Sequence, residues 1–252
     1  MKDILLYFSC LYEGDFFKIY KAISTLEQIN PNDLIDFKKR ISSSYFTILE
    51  DLYPSSLKES FNCPYILYYK GNINILSEEK KIAVIGSRLN SLEGEKRTRS
   101  IVKELVKNGY VIVSGLAKGI DAIAHDEALK NNGLTIAVLG GGLDNVYPKC
   151  NIDLFNRIVE KGLVISEYPD FVKPSANKFP LRNRLIAGLS DATLVCEAKI
   201  RSGSMITVAH TLEIGRDVFC IPSNDSDSGC NKLIEEGAIA VNSIKDILDN
   251  RY

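Results

Sequence analysis

The chain has 252 residues, 25% of them charged and 45% apolar, with a formal net charge of −1 at neutral pH. That length suits one large α/β domain with a small appendage, at roughly 100–200 residues per domain, and the apolar share supports a core without covalent staples. Near-neutrality argues against a generic polyanion binder; six cysteines without a C-x-x-C pair and only two histidines argue against a zinc site, and no cofactor motif is present. The N-terminal apolar run 4–8 is too short for a membrane span or signal peptide. Cys196 and Cys220 fall in apolar strand patterns and read as small buried hydrophobes, which points to reduced thiols and a cytoplasmic location.

Residues 1–44 carry helical patterning, with apolar positions at Leu5, Phe8, Phe16, Ile19, Ile23 and Leu26. Pro31-Asn32-Asp33 breaks that pattern and starts a further helix. The segment predicts a small helical N-terminal domain packed on a second domain over 45–252. In the bridge 45–80, residues 65–69 read as a strand, Gly71-Asn72 as a turn and 73–76 as a return strand. From Lys81 short apolar strands alternate with helices. Strands are predicted near 82–85, 111–113, 134–139, 163–166, 192–196, 217–221 and 238–240. Helices are predicted near 93–108, 121–131, 151–161, 181–190, 204–214 and 231–236. This alternation predicts an α/β fold: a Rossmann-like, mainly parallel sheet with helices on both faces. The segments 170–178 and 223–229 read as mobile loops.

The strand ends carry the chemistry. Ile82-Ala83-Val84-Ile85 runs into Gly86-Ser87-Arg88, and Val111-Ile112-Val113 into a loop that ends at Lys118-Gly119. Ile136-Ala137-Val138-Leu139 runs into Gly140-Gly141-Gly142, with Tyr147, Lys149 and Asn151 shortly after. Ala192-Thr193-Leu194-Val195 leads to Ser202-Gly203-Ser204. Glycine lets backbone amides approach a ligand, and a helix start just beyond adds donors and positive dipole. Such loops at the carboxyl ends of one sheet predict a phosphate-lined crevice. Nine Lys/Arg against three Glu between Lys80 and Lys118, and six against two acidic residues between Phe171 and Ile206, place the cations beside these loops.

Each motif has a plainer reading. Gly86-Ser87-Arg88 also fits an ordinary turn with a surface arginine, and the three glycines fit helix–strand packing. Ser202 and Ser204 also fit simple capping. Arg182, Asn183 and Arg184 come after Phe179-Pro180 at a helix start, where cations oppose the dipole unless an anion binds. Alternatively, one of these arginines pairs with Glu167 or Glu197. His125 reads as a packed core histidine. No dinucleotide fingerprint, Walker loop or catalytic triad is present, so the chain reads as a non-enzyme.

These residues together resemble the DNA-processing protein A (DprA/Smf) family. The resemblance covers about 190 residues, from Tyr53-Pro54 to Ala238. It runs through Pro64 to Gly71, Ile85-Gly86-Ser87-Arg88, Ser114 to Asp121, 140–151 and Ser166-Glu167-Tyr168-Pro169. It continues through 179–190, Ser202-Gly203-Ser204, Gly215-Arg216 and Asn231 to Ile234. It implies a Rossmann-like domain that binds single-stranded DNA, forms a homodimer and loads RecA recombinase during natural transformation. Arg88, Lys149, Arg182 and Arg184 would then face the DNA backbone, and Ser87, Ser202, Gly203 and Ser204 would add hydrogen bonds. Gly86, Lys118, Gly141, Asn151 and Asn183 complete the candidate set. Tyr147 and Phe179 are expected to stack on bases because they lie beside cations. The helical segment 1–44 occupies the position of the family's SAM-like domain.

The chain departs from the family pattern at Asn90 to Gly94, at Pro222-Ser223, and at its end. It stops 14 residues after Ala238, so no C-terminal winged helix is expected. From His210 onward, eight acidic residues face four basic ones, which suits a protein partner, so dimer and RecA contacts are expected there. The rival reading is a nucleotide-binding enzyme or sensor related to phosphoribohydrolases. Gly140-Gly141-Gly142 lacks the preceding proline and the trailing Gly-Thr of that loop.

Overall fold

A computed structural model describes residues 1–58, 60 and 62–250. Three helices come first: α1 (Lys2–Leu11), α2 (Phe16–Ser24) and α3 (Pro31–Arg40). Asp15 caps α2 by accepting from the Lys18 amide, and Asn30 caps α3 ahead of Pro31, whose missing N–H costs nothing at a first turn. Next come β1 (Ser44–Thr47), α4 (Ser55–Lys58) and β2 (Ile66–Gly71). The alternating part comprises β3 (Lys81–Gly86), α5 (Leu92–Lys107), β4 (Val111–Ser114), α6 (Ile120–Lys130), β5 (Thr135–Val138), α7 (Ile152–Lys161) and β6 (Leu163–Ser166). It continues as α8 (Lys178–Gly188), β7 (Ala192–Glu197), α9 (Ser204–Glu213), β8 (Asp217–Cys220), α10 (Gly229–Glu235), β9 (Ile239–Ala240) and α11 (Ile244–Leu248).

Among the described residues one nine-stranded sheet runs β1-β2-β6-β5-β4-β3-β7-β8-β9. From β6 to β9 every neighbour is parallel, while β2 lies antiparallel to β6 and to β1. The chain therefore builds outward from β3 through β4, β5 and β6, then returns to the other side of β3 for β7. Such a reversal leaves a gap outside the carboxyl ends of the two strands, here β3 and β7.

Strand side chains alternate between the two faces. Ala83 and Ile85 of β3 pack in one core with Leu185 and Ile186 of α8, Val208 of α9 and Cys230 of α10. Ile82 and Val84 pack in the other with α5, α6 and α11, through Val102, Leu105, Ala124 and Ile247. The helical N-terminus has a small core of its own, Tyr7 and Phe8 of α1 with Ile19 and Ala22 of α2. It also packs on the sheet: Leu5, Leu6 and Cys10 of α1 share a cluster with Ile66 and Tyr68 of β2 and with Ile158 of α7.

Two expectations are corrected here. Residues 73–77 form a 3-10 turn capped by Asn72, not a return strand. The strand beside β2 is instead β1, in register Tyr45 with Tyr68, because the run 44–47 offers Tyr45 and Phe46 to the aromatic faces of Tyr68 and Tyr69. The segment 170–178, read as mobile, is pinned at its start. The Asp170 carboxylate accepts from the amides of Ser42 and Ser43 at 2.7 and 2.8 Å, and the Gly142 amide donates to the Val172 carbonyl.

Candidate nucleic-acid interface

A crevice of about 830 Å³ opens where β3 and β7 end. Its floor is the loop Gly86-Ser87-Arg88. A side chain at position 86 would press on Ile120 and on the Glu197 carbonyl, so glycine is required by close packing. The loop is held on both sides: the Ser87 amide donates to the Glu197 carbonyl at 2.7 Å, and the Ile120 amide to the Ser87 carbonyl. Ser204 Oγ donates to the Gly86 carbonyl at 3.0 Å, which ties the start of α9 to the same loop. Ser202 borders the crevice, and its hydroxyl is buried without a hydrogen-bond partner.

One wall is aromatic and cationic. The Arg88 guanidinium, solvent-exposed, lies 5.7 Å from the centre of the Phe179 ring. Phe179 lies 5.7 Å from the half-exposed Tyr147, the rings tilted by 39°. A cation beside a ring that adjoins a second ring combines the two elements, charge and stacking faces, that single-strand sites use. Lys199 and Arg201, both exposed, also line the crevice from the loop between β7 and α9, Lys199 lying 3.8 Å from Asp227. Sequence reasoning counted these two among local cations but did not single them out. Their places, three residues and one residue before Ser202, were the available signal.

The carboxylates at and beside the crevice are engaged by hydrogen-bond donors of the protein. Glu197 turns its carboxylate to Ser91 at the start of α5, accepting from its amide at 3.0 Å and its hydroxyl at 2.6 Å. Asp121 accepts from the amides of Gly115 and Ala117. Burial raises the Asp121 pKa, against the pull of Arg182 and those two amides.

The structure separates the candidate residues. Gly86, Ser87, Arg88, Tyr147, Phe179, Arg182, Asn183, Ser202, Gly203 and Ser204 all border the crevice. Lys118 and Lys149 are exposed on neighbouring loops outside its lining. Three expectations change. Gly141 is buried, and a Cβ there would lie 2.8 Å from the Pro174 nitrogen, so the approaching backbone is the protein's own. The Asn151 amide donates to the carbonyls of Leu116 and Ala117 at 3.0 and 3.1 Å, bracing a loop. Arg184 closes a buried ion pair with Glu167 at 2.6 and 2.9 Å and donates to the Asn62 carbonyl. Burial opposes the Arg184 charge, but Glu167 outweighs it and the pKa is raised.

Arg182 borders the crevice yet is almost fully buried. It donates to the Gly115 carbonyl at 2.6 Å and to the Val138 carbonyl, clamping the ends of β4 and β5 together. Burial brings its pKa down to about 10, Asp121 opposing and Arg88 adding, so it stays charged at neutral pH. Arg182 and Arg184 are not at the start of a helix. α8 begins at Lys178, because Pro180 is tolerated within a first turn, where backbone N–H groups lack partners anyway.

His125 is a core histidine as expected. Its Nδ1 lies 2.7 Å from Thr135 Oγ1, and burial, helped by Arg182, drives its pKa down to about 3. Among the described residues no group of acidic, histidine and cysteine side chains is placed to hold a metal. No helix there is long and apolar enough to cross a membrane.

The sequence and the fold match known proteins. The family model for DNA recombination-mediator protein A covers residues 44–251. The chain belongs to the DNA recombination-mediator protein A family. It is 50% identical over 206 residues to the DNA processing protein DprA of Streptococcus pneumoniae, a match that covers 81% of this chain and 72% of that protein. The crystal structure of DprA from S. pneumoniae superposes over 100% of this chain and 99% of its own, at 39% identity and a TM-score of 0.86. Family member DprA from Helicobacter pylori, studied for its single-stranded DNA binding mode, superposes over 82% of this chain and 95% of its own, with 32% identity and a TM-score of 0.75.

Proposed function

We propose that this chain is a single-stranded DNA-binding recombination mediator whose crevice between β3 and β7 holds the strand. The observation that carries the reading is the sequence of contacts Arg88–Phe179–Tyr147 in a crevice that Lys199 and Arg201 also line. Cations take the phosphates, and the ring faces take bases without regard to sequence. Family membership and the H. pylori relative support the same reading. The function includes protecting incoming single strands and loading RecA recombinase in natural transformation, by a homodimer in the cytoplasm. The acidic segment from His210 onward is the place for dimer and RecA contacts, since its charge repels DNA.

Fluorescence anisotropy of labelled oligo-dT, with duplex and mononucleotide competitors, tests the reading. Binding that resists mononucleotides supports it, and displacement by a mononucleotide at modest concentration turns the crevice into a small-nucleotide pocket. RecA-driven strand exchange on protein-covered single strands then tests the loading step. Charge reversal at Glu235 and Glu236 with no change in loading or dimer mass would refute the placement of the contacts.

A further inference from the structure

A second groove of about 570 Å³ lies between the helical N-terminus and the segment 170–178. It touches the first: Pro174 and Ser175 border both. The Arg40 guanidinium, exposed at the end of α3, lies 3.6 Å from the centre of the Phe171 ring. Lys173 is exposed, and Lys178 reaches to the Lys173 carbonyl at 3.2 Å and to Glu13 at 3.6 Å. Three cations thus meet one carboxylate in the groove. The neighbouring Asp170 carboxylate accepts from the amides and hydroxyls of Ser42 and Ser43, which hold it in place without cancelling its charge.

We propose that a bound single strand leaves the crevice across Pro174 and Ser175 and continues into this groove, where Arg40 and Lys173 hold its phosphates. The inference rests on the reading of the crevice as a single-strand site. It gives the helical N-terminus a direct part in binding, where a purely structural appendage would have none. Arg40 lying flat on Phe171 keeps its N–H edge free for a phosphate and fixes the direction it points. The arrangement predicts length dependence: a short strand fills the crevice alone, and a longer one gains the second set of contacts.

Binding of dT oligomers of about 6 and about 20 nucleotides, one near the lower end of usual single-strand site sizes and one beyond their upper end, tests this by anisotropy across a salt series. The double variant Arg40→Gln, Lys173→Gln should bind the longer oligomer about tenfold more weakly, with a salt slope smaller by about 1.4, or roughly 0.7 for each lost phosphate contact. Its affinity for the short oligomer should match the unaltered protein. Glu13→Gln should tighten binding of the longer oligomer, a gain that misfolding cannot imitate. Unchanged affinity of the double variant for the longer oligomer, or equal loss at both lengths, would overturn the proposal while leaving the crevice reading in place. Failure of the unaltered protein to bind either oligomer would instead overturn the crevice reading.

Discussion

Arg182 and Arg184 stand two residues apart on α8 and serve different ends. Arg182 clamps the carbonyls of Gly115 and Val138 beneath the crevice, while Arg184 is enclosed in an ion pair with Glu167 and holds the Asn62 carbonyl. Neither offers a free guanidinium to solvent. Among the described residues that line the crevice, Arg88, Lys199 and Arg201 are exposed, with Lys199 3.8 Å from Asp227.

Arg184→Ala is expected to lower stability by about 3–5 kcal/mol, since it leaves Glu167 buried without its partner. Urea unfolding measures this. Joint replacement, Glu167→Gln with Arg184→Met, should recover much of the loss because neither group then needs a charge partner. An unchanged urea midpoint for Arg184→Ala would show that the pair does not hold this part of the fold.

Gly142→Ala should destabilise by about 1–3 kcal/mol, as overpacked sites do. A Cβ there would run into the carbonyl oxygens of Pro169 and Asp170, which are backbone and cannot swing aside. Thermal melting measures the effect, and a melting temperature equal to that of the unaltered protein would contradict the packing role given to this loop.

Much of this was legible in the chain. Strands such as 192–196 and helices such as 93–108 emerge within about a residue of their observed ends, because a short apolar run between glycines leaves few alternatives. What escaped depends on partners distant in sequence. The apolar run 73–76 looks like a strand until one knows that β2 is paired on both edges, by β1 and β6, and has no edge left to offer. Gly141 and Gly142 look like ligand loops because the segment that covers them, Pro169 to Pro174, lies nearly thirty residues on. The alternative that one arginine pairs with Glu167 was visible; which arginine did so depends on helix phase, and α8 starts earlier than Pro180 suggests.

Tyr147→Ala with Phe179→Ala should weaken oligo-dT binding by about 1–3 kcal/mol for each base that loses its ring. Tyr147 is half-exposed, so its outer face is open to a base, and its loss should leave the core intact. Unchanged affinity of the double variant would sink the stacking role.

Stability should fall in mild acid. His125 is buried and neutral, with its pKa pushed down from 6.5 to about 3. Between those values the unfolded chain takes up a proton that the folded one refuses. Stability is therefore full above pH 6.5 and declines as pH drops through the window, by up to about 1.4 kcal/mol per pH unit. His125→Gln should flatten the decline between about pH 6.5 and 4, read by denaturant unfolding at several pH values. An identical slope in the variant would assign the acid sensitivity to other groups.

The most direct test of the account is the salt dependence of oligo-dT binding for the unaltered protein and for Arg88→Gln. The account predicts affinity that falls linearly on a log–log plot, with the variant weaker at low salt and its slope shallower by about 0.7, the share of one phosphate contact. Binding that ignores salt, or a variant that tracks the unaltered protein at every concentration, would contradict a crevice that holds DNA through Arg88.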